Sequence, residues 1–137
     1  MKALLLLAAA VIGCTVPATN STYGFSIEPG AFAGFDCSYV NLTNSAAFLV
    51  ISANAFSGAT GFTDISIPLN TRIIEDYAFS NSTVAHAQFL SPLTIVSELA
   101  FDHLRSVAVH CPNYSIRVDS TGDWQNVHRK LAACDMF

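Results

Sequence analysis

The apolar positions along this chain repeat with a long period. An Ala-Phe pair recurs as Ala31-Phe32, Ala55-Phe56, Ala78-Phe79 and Ala100-Phe101, at spacings of 24, 23 and 22 residues. Five residues before each Phe stands a β-branched apolar residue, in turn Ile27, Ile51, Ile74 and Val96. After each Phe comes a short alternating apolar pair: Val40 and Leu42, Ile65 and Ile67, Ala87 and Phe89, Val107 and Val109. Alternation with a period of two predicts a short strand buried on one face. A repeat of this length, carrying one such strand, a turn and a return segment with a large anchor, predicts a stacked coil. A single coil cannot bury its Phe. Four stacked coils can, by placing Phe32, Phe56, Phe79 and Phe101 in one column and pairing their strands in parallel about 4.8 Å apart.

The repeat stops after Pro112, and the pattern changes to a helical one. Over Asp123–Ala133 and on to Cys134, the apolar residues Trp124, Val127, Leu131 and Cys134 fall at spacings of 3, 4 and 3, one stripe of a helix. Asp123 or Ser120 can cap its start, and His128, Arg129 and Lys130 lie towards its C-terminal end, where cations suit the helix dipole. An open stack exposes its last coil, so a helix laying Trp124 across it is the expected cap, with a partner-docking helix as the alternative.

The segment Ile51-Ser52-Ala53-Asn54-Ala55-Phe56-Ser57-Gly58-Ala59-Thr60-Gly61-Phe62-Thr63-Asp64-Ile65-Ser66-Ile67-Pro68 resembles the BspA-type leucine-rich repeat, whose pattern is I-x-x-x-A-F-x-x-C-x-x-L-x-x-I-x-I-P. The repeat from Ile73-Ile74 to Ala78-Phe79 matches the first half of that pattern, and the resemblance extends from Ile27 to about Pro112. Phe35, Ala59, Ser82 and Leu104 stand where the family often has Cys, and Phe62 replaces Leu. The expected fold is an α/β repeat solenoid of four leucine-rich-repeat coils with short parallel strands and a C-terminal capping helix. The resemblance implies adhesion or protein–protein contact at a cell surface, with a host-matrix protein, a cell-surface protein or a second copy as partner.

The first residues read as an address. Lys2 precedes an unbroken apolar stretch from Ala3 to Ile12, the size of a signal-peptide core and short of the roughly 20 residues a membrane span needs. Val16 and Ala18 are small residues placed for a cut before Thr19, giving a secreted chain. Alternatively, Val11-Ile12-Gly13-Cys14 resembles a bacterial lipobox, in which Cys14 would be lipidated and anchor an envelope lipoprotein with the same binding role. The expected organisation is a signal peptide over 1–18, repeats over 19–112 and a C-terminal cap over 113–137.

Composition narrows the partners. Only 12% of residues are charged against 52% hydrophobic, and the 14 Ser, 10 Thr and 8 Asn make the surface mainly hydroxyl and amide. The net charge is −4 and no window carries a run of Lys or Arg, so neither nucleic acid nor anionic lipid finds an electrostatic footprint. Asn20, Asn41, Asn81 and Asn113 each begin a glycosylation acceptor triplet, against about 1.3 expected by chance from this composition.

Removal of residues 1–18 would leave Cys37, Cys111 and Cys134, an odd count. Cys111 ends the last strand and Cys134 lies on the helical stripe, so these two are expected to pair and pin the cap. Cys37, about three strand spacings or roughly 14 Å away, is the candidate unpaired thiol, for linkage between chains or as a buried inert residue. The stretch 19–26 offers the first coil no lid, and that N-terminal edge is a second route to self-association.

If the apolar pairs point inward, their neighbours form outward columns: Tyr39, Asp64, His86 and Ser106 in one, Asn41, Ser66, Gln88 and Ala108 in the other. This polar strip is the candidate binding surface. A carbohydrate-cleaving β-solenoid would cluster carboxylates on adjacent coils. Here Asp64 stands alone, and Glu75-Asp76 sit together in a turn, so no catalysis is expected. No nucleophile elbow, HExxH or phosphate loop is present. His86, His103, His110 and His128 lack ligand spacing, so neither a metal nor a cofactor is expected.

Overall fold

The computed structural model describes residues 13–16, 23–91, 94–104, 106–112, 115–119 and 131–132. Each repeat winds through two strands and a turn. The apolar pairs lie in β5 (Asp64–Ile67), β7 (His86–Phe89) and β9 (Ser106–His110), and Val40 of the first pair lies in β3 (Tyr39–Asn41), with Leu42 just beyond it. In β5 and β7 the period-two reading holds residue by residue: Ile65, Ile67, Ala87 and Phe89 are buried, while Asp64, Ser66, His86 and Gln88 are exposed. The β-branched residues ahead of each Phe belong to a second set of strands: β2 (Phe25–Ile27), β4 (Leu49–Ile51), β6 (Thr71–Ile74) and β8 (Ile95–Val96).

Like strands from successive coils pair in parallel. One sheet runs β5-β7-β9, in the register Asp64↔His86↔Ala108 and Ser66↔Gln88↔His110. The other runs β2-β4-β6-β8, with Ile27, Ile51, Ile74 and Val96 in one row. Between β4 and β6 the register skips Arg72, which turns outward and places its guanidinium 4.1 Å from the centre of the Phe48 ring.

The Ala-Phe pair forms the remaining side of each coil. The N–H of each Phe donates to the C=O of the Ala one coil on: Phe32 to Ala55 at 2.7 Å, Phe56 to Ala78 at 2.7 Å and Phe79 to Ala100 at 2.8 Å. Two residues after each Phe the backbone turns through the left-handed region, at Gly34 (φ 73), Gly58 (φ 73), Asn81 (φ 59) and His103 (φ 64). Glycine is at ease there; Asn and His carry a Cβ penalty.

This geometry stacks the four rings. Successive pairs Phe32–Phe56, Phe56–Phe79 and Phe79–Phe101 have centroids 5.0, 5.3 and 5.3 Å apart and planes within 14°, 7° and 10° of parallel. Phe56 and Phe79 are fully buried, while Phe32, at the open end, is half-buried. The rings and the inward residues of both sheets form one hydrophobic cluster, whose removal from water is the main favourable term in folding.

Both ends of the stack differ from the sequence-based expectation. At the N-terminal end, β1 (Gly13–Thr15) pairs in parallel with β3, and Val16 N–H donates to Asn41 C=O at 3.0 Å. Cys14 and Cys37 form a disulfide with Cα atoms 5.5 Å apart, and both are buried. Cys37 is therefore no unpaired thiol, and the first coil does have a lid. A sulfur already bound to another sulfur has no bond left for a thioether, so the disulfide also removes the lipidated form of Cys14.

At the other end, the sheets finish on antiparallel strands. Strand β10 (Ser115–Asp119) pairs with β9, and β11 (Leu131–Ala132) pairs with β8. No helix occurs among the described residues. The expected capping helix falls mostly outside them, and its described part, Leu131–Ala132, is extended. An open strand edge needs hydrogen-bond partners, and an antiparallel strand satisfies β8 where a helix would not.

Candidate functional site

The outward residues of β5, β7 and β9 surround an open groove of about 910 Å³. Its apolar lining comes from Val40, Ile65 and Ala85; its polar groups come from Thr63, Asp64, Ser66, His86, Gln88 and His110. Parallel pairing explains the convergence: positions in register on neighbouring coils fall side by side on one face. Thr63 Oγ donates to Asp64 Oδ1 at 3.4 Å. His86 Nδ1 and His110 Nε2 lie 3.4 Å apart, their rings 21° from parallel with centroids 5.6 Å apart.

The groove gathers Asp64, Ser66, His86 and Gln88 from the strip read in the sequence. The fourth coil is in a different register. Ala108, not Ser106, stands opposite His86, and His110, not Ala108, stands opposite Gln88; Ser106 pairs instead with Asp119 of the cap. Counting from the anchors would have found this, because Ala87 and Val109 each lie eight residues after their Phe and are partners in the sheet. His110 lies one residue beyond the pair Val107 and Val109, outside the two columns expected from the sequence.

The first coil departs from the strip as well. Strand β3 ladders with β1 rather than with β5, and the link between the first two coils here is a single bridge from Asp36 to Thr60. Tyr39 is half-exposed with its ring over Gly13, where a Cβ would lie 2.2 Å from the ring. Asn41 is exposed, and its side-chain oxygen accepts from Thr43 N–H at 3.0 Å. Neither lines the groove.

The groove can offer hydrogen bonds and apolar contact, but it does not bring two carboxyl groups to face each other. Asp64 is the one carboxylate among its lining residues, whereas glycoside cleavage calls for two facing carboxyl groups. Among the described residues, no three His, Cys, Asp or Glu side chains cluster as metal ligands would. No helix among them is long and apolar enough to cross a membrane. Of the four glycosylation triplets, Asn41 and Asn81 are exposed, and Asn20 and Asn113 lie outside the described residues. Cys111 is disulfide-bonded; Cys134 lies outside the described residues.

Two parallel ladders and a column of anchors define a repeat solenoid. The sequence model of the BspA type leucine rich repeat region matches residues 20–117 in six copies, and the chain belongs to that family. No curated protein and no solved structure matches it. Leucine-rich repeat domains typically bind proteins and are typically not catalysts, and members of this type are typically secreted or surface proteins.

Proposed function

We propose that this is a secreted or cell-surface protein that makes adhesive protein–protein contacts through the groove of β5, β7 and β9, without catalysis. The observation that carries the reading is the convergence of Asp64, Ser66, His86, Gln88 and His110 from three coils in one groove with the apolar Val40, Ile65 and Ala85. Apolar contact area combined with hydrogen-bonding groups suits a protein-binding patch. The partner is a matrix or cell-surface protein, or a second copy of the chain. The N-terminal apolar segment serves as an export leader, and disulfides fit the oxidising compartment to which export leads. In that compartment Asn41 and Asn81 are open to glycan, as Asn20 and Asn113 would be, and Cys111 with Cys134 pins the C-terminal cap.

Capture of partners from matrix and cell-surface preparations, and of the chain by itself, tests the reading. A variant with Asp64→Ala, His86→Ala and His110→Ala should lose capture while remaining folded. Capture undiminished in that variant would place the contact elsewhere and sink the proposal.

A further inference from the structure

The N-terminal lid bears on where the leader is removed. Cleavage before Thr19 would excise the whole of β1, the buried side chains of Cys14 and Val16, and one half of the Cys14–Cys37 disulfide. Cys14 is 1% exposed and belongs to the hydrophobic cluster together with Val16 and Cys37. The segment 14–16 is thus built into the first coil, joined to β3 by backbone hydrogen bonding and to Cys37 by a covalent bond. Gly13 differs. It stands at the outer end of β1, opposite Tyr39, and has no side chain to bury.

The sequence offers a cut that respects this division. A leader cleavage needs small uncharged residues one and three positions before the bond, after an apolar core. Gly13 and Val11 meet that requirement for the Gly13–Cys14 bond, directly after the Ala3–Ile12 stretch. Ala18 and Val16 meet it for Ala18–Thr19, so the sequence alone does not choose between them, and the strand and disulfide do.

We infer that the leader is removed by hydrolysis of the Gly13–Cys14 peptide bond, so that the mature chain begins at Cys14 and its first residue is a half-cystine. Water is added across the bond, leaving a carboxylate on Gly13 of the departing leader and a new α-amino group on Cys14. A disulfide-donating oxidant of the secretory compartment then takes two electrons and two protons from the Cys14 and Cys37 thiols, which join, and the donor leaves as a dithiol. The inference rests on the export reading above, and the test separates the two.

The full chain is expressed with a C-terminal tag in secreting eukaryotic cells, and the intact mass of the secreted product is measured after glycan removal, with and without reduction and alkylation. The expected mass is that of a chain starting at Cys14, with Cys37 alkylated only after reduction. Two mass markers place the cut independently. Gly13→Ala, which keeps a small residue before the bond, should leave the mature mass unchanged, whereas Thr15→Ser should lower it by one methylene. A product that starts at Thr19, in which Thr15→Ser is silent, overturns the inference and leaves export standing. A secreted chain that is lipid-modified at Cys14, or whose Cys37 is alkylated without reduction, overturns it equally. Retention inside the cell of an uncut chain from Met1 overturns both it and the export reading.

Discussion

The middle of the stack and its N-terminal end are held by different means. Phe56 and Phe79 each have a parallel ring on both sides, and strands of the same coils ladder on both sheets. Phe32 has one such neighbour and an edge-on contact with Phe35 at 5.6 Å, it stays half-buried, and β3 lacks a ladder to β5. An interior coil draws its stability from the coils beside it, whereas an end coil lacks one neighbour and needs a substitute. Here the substitute is β1 with its disulfide. The largest effects should therefore come from the middle: Phe56→Ala or Phe79→Ala should cost about 3–5 kcal/mol by urea denaturation, and Phe32→Ala roughly half as much. Equal losses at Phe32 and Phe56 would show that the end coil is as tightly packed as the interior and break the contrast.

Next in size is the staple. The Cys14–Cys37 bond closes a loop of sequence separation 23, worth about 3 kcal/mol on the chain-entropy estimate. Cys37→Ser should lower stability by about that much, and its structural effect should be local. Amide exchange ought to rise first at Val16 and Phe25, which donate to Asn41 and Phe48, while Ala87 and Val109 in the other sheet keep their protection. Uniform loss of protection across both regions would mean that the end coil does not open separately.

The contrast also explains what could be read in the sequence. The interior was legible because a stacked core imposes a fixed spacing: one Phe per coil in one column forces the Ala-Phe period, and alternation in β5 and β7 follows from having one wet face and one dry face. The second sheet was half visible. Ile27, Ile51, Ile74 and Val96 announce burial, but a strand of two to four residues leaves too little alternation to distinguish it from a lone anchor. The ends were not legible, since periodicity says nothing about how a repeat stops. A cut before Thr19 discards Cys14 with the leader and so takes from Cys37 its partner within the chain. Leu131 sits on an apolar stripe of helical period, yet its backbone is claimed by the open edge of β8, a tertiary demand invisible to a local pattern. The candidate groove was found on β5 and β7 and missed on β9, where the register follows the distance from Phe101 and not the nearest apolar pair.

A smaller effect sharpens the same comparison along the stack. The left-handed position two residues after each Phe is Gly in the first two coils and Asn81 or His103 in the last two. A side chain there costs about 1–2 kcal/mol, of which glycine's extra freedom in the unfolded chain returns about 0.5–1. His103→Gly should therefore stabilise by about 0.5–1 kcal/mol, since the His side chain is 62% exposed and its contacts with Asp102 and Ser80 add little. Asn81→Gly should be nearly neutral, because Asn tolerates this conformation better than most residues. A thermal melt of the two variants decides it. Destabilisation by His103→Gly would mean that the imidazole packs against its coil in a way that outweighs the backbone.

The smallest expected effect on stability is also the one that separates scaffold from surface. Asp64 and His86 are exposed and stand outside the buried hydrophobic cluster. Replacing either by Ala removes no buried apolar area and leaves the ladder between β5 and β7 intact, so stability should change by no more than about 0.5 kcal/mol. His110→Ala removes a ring contact with His86 and should behave alike. If these variants melt with the parent and yet fail to capture a partner, the outward face is spent on contact while the Phe column holds the fold. If instead any of them loses as much stability as Phe32→Ala, the groove residues are part of what ties the coils together, and the division of labour between inward and outward positions fails at the place where the binding reading depends on it.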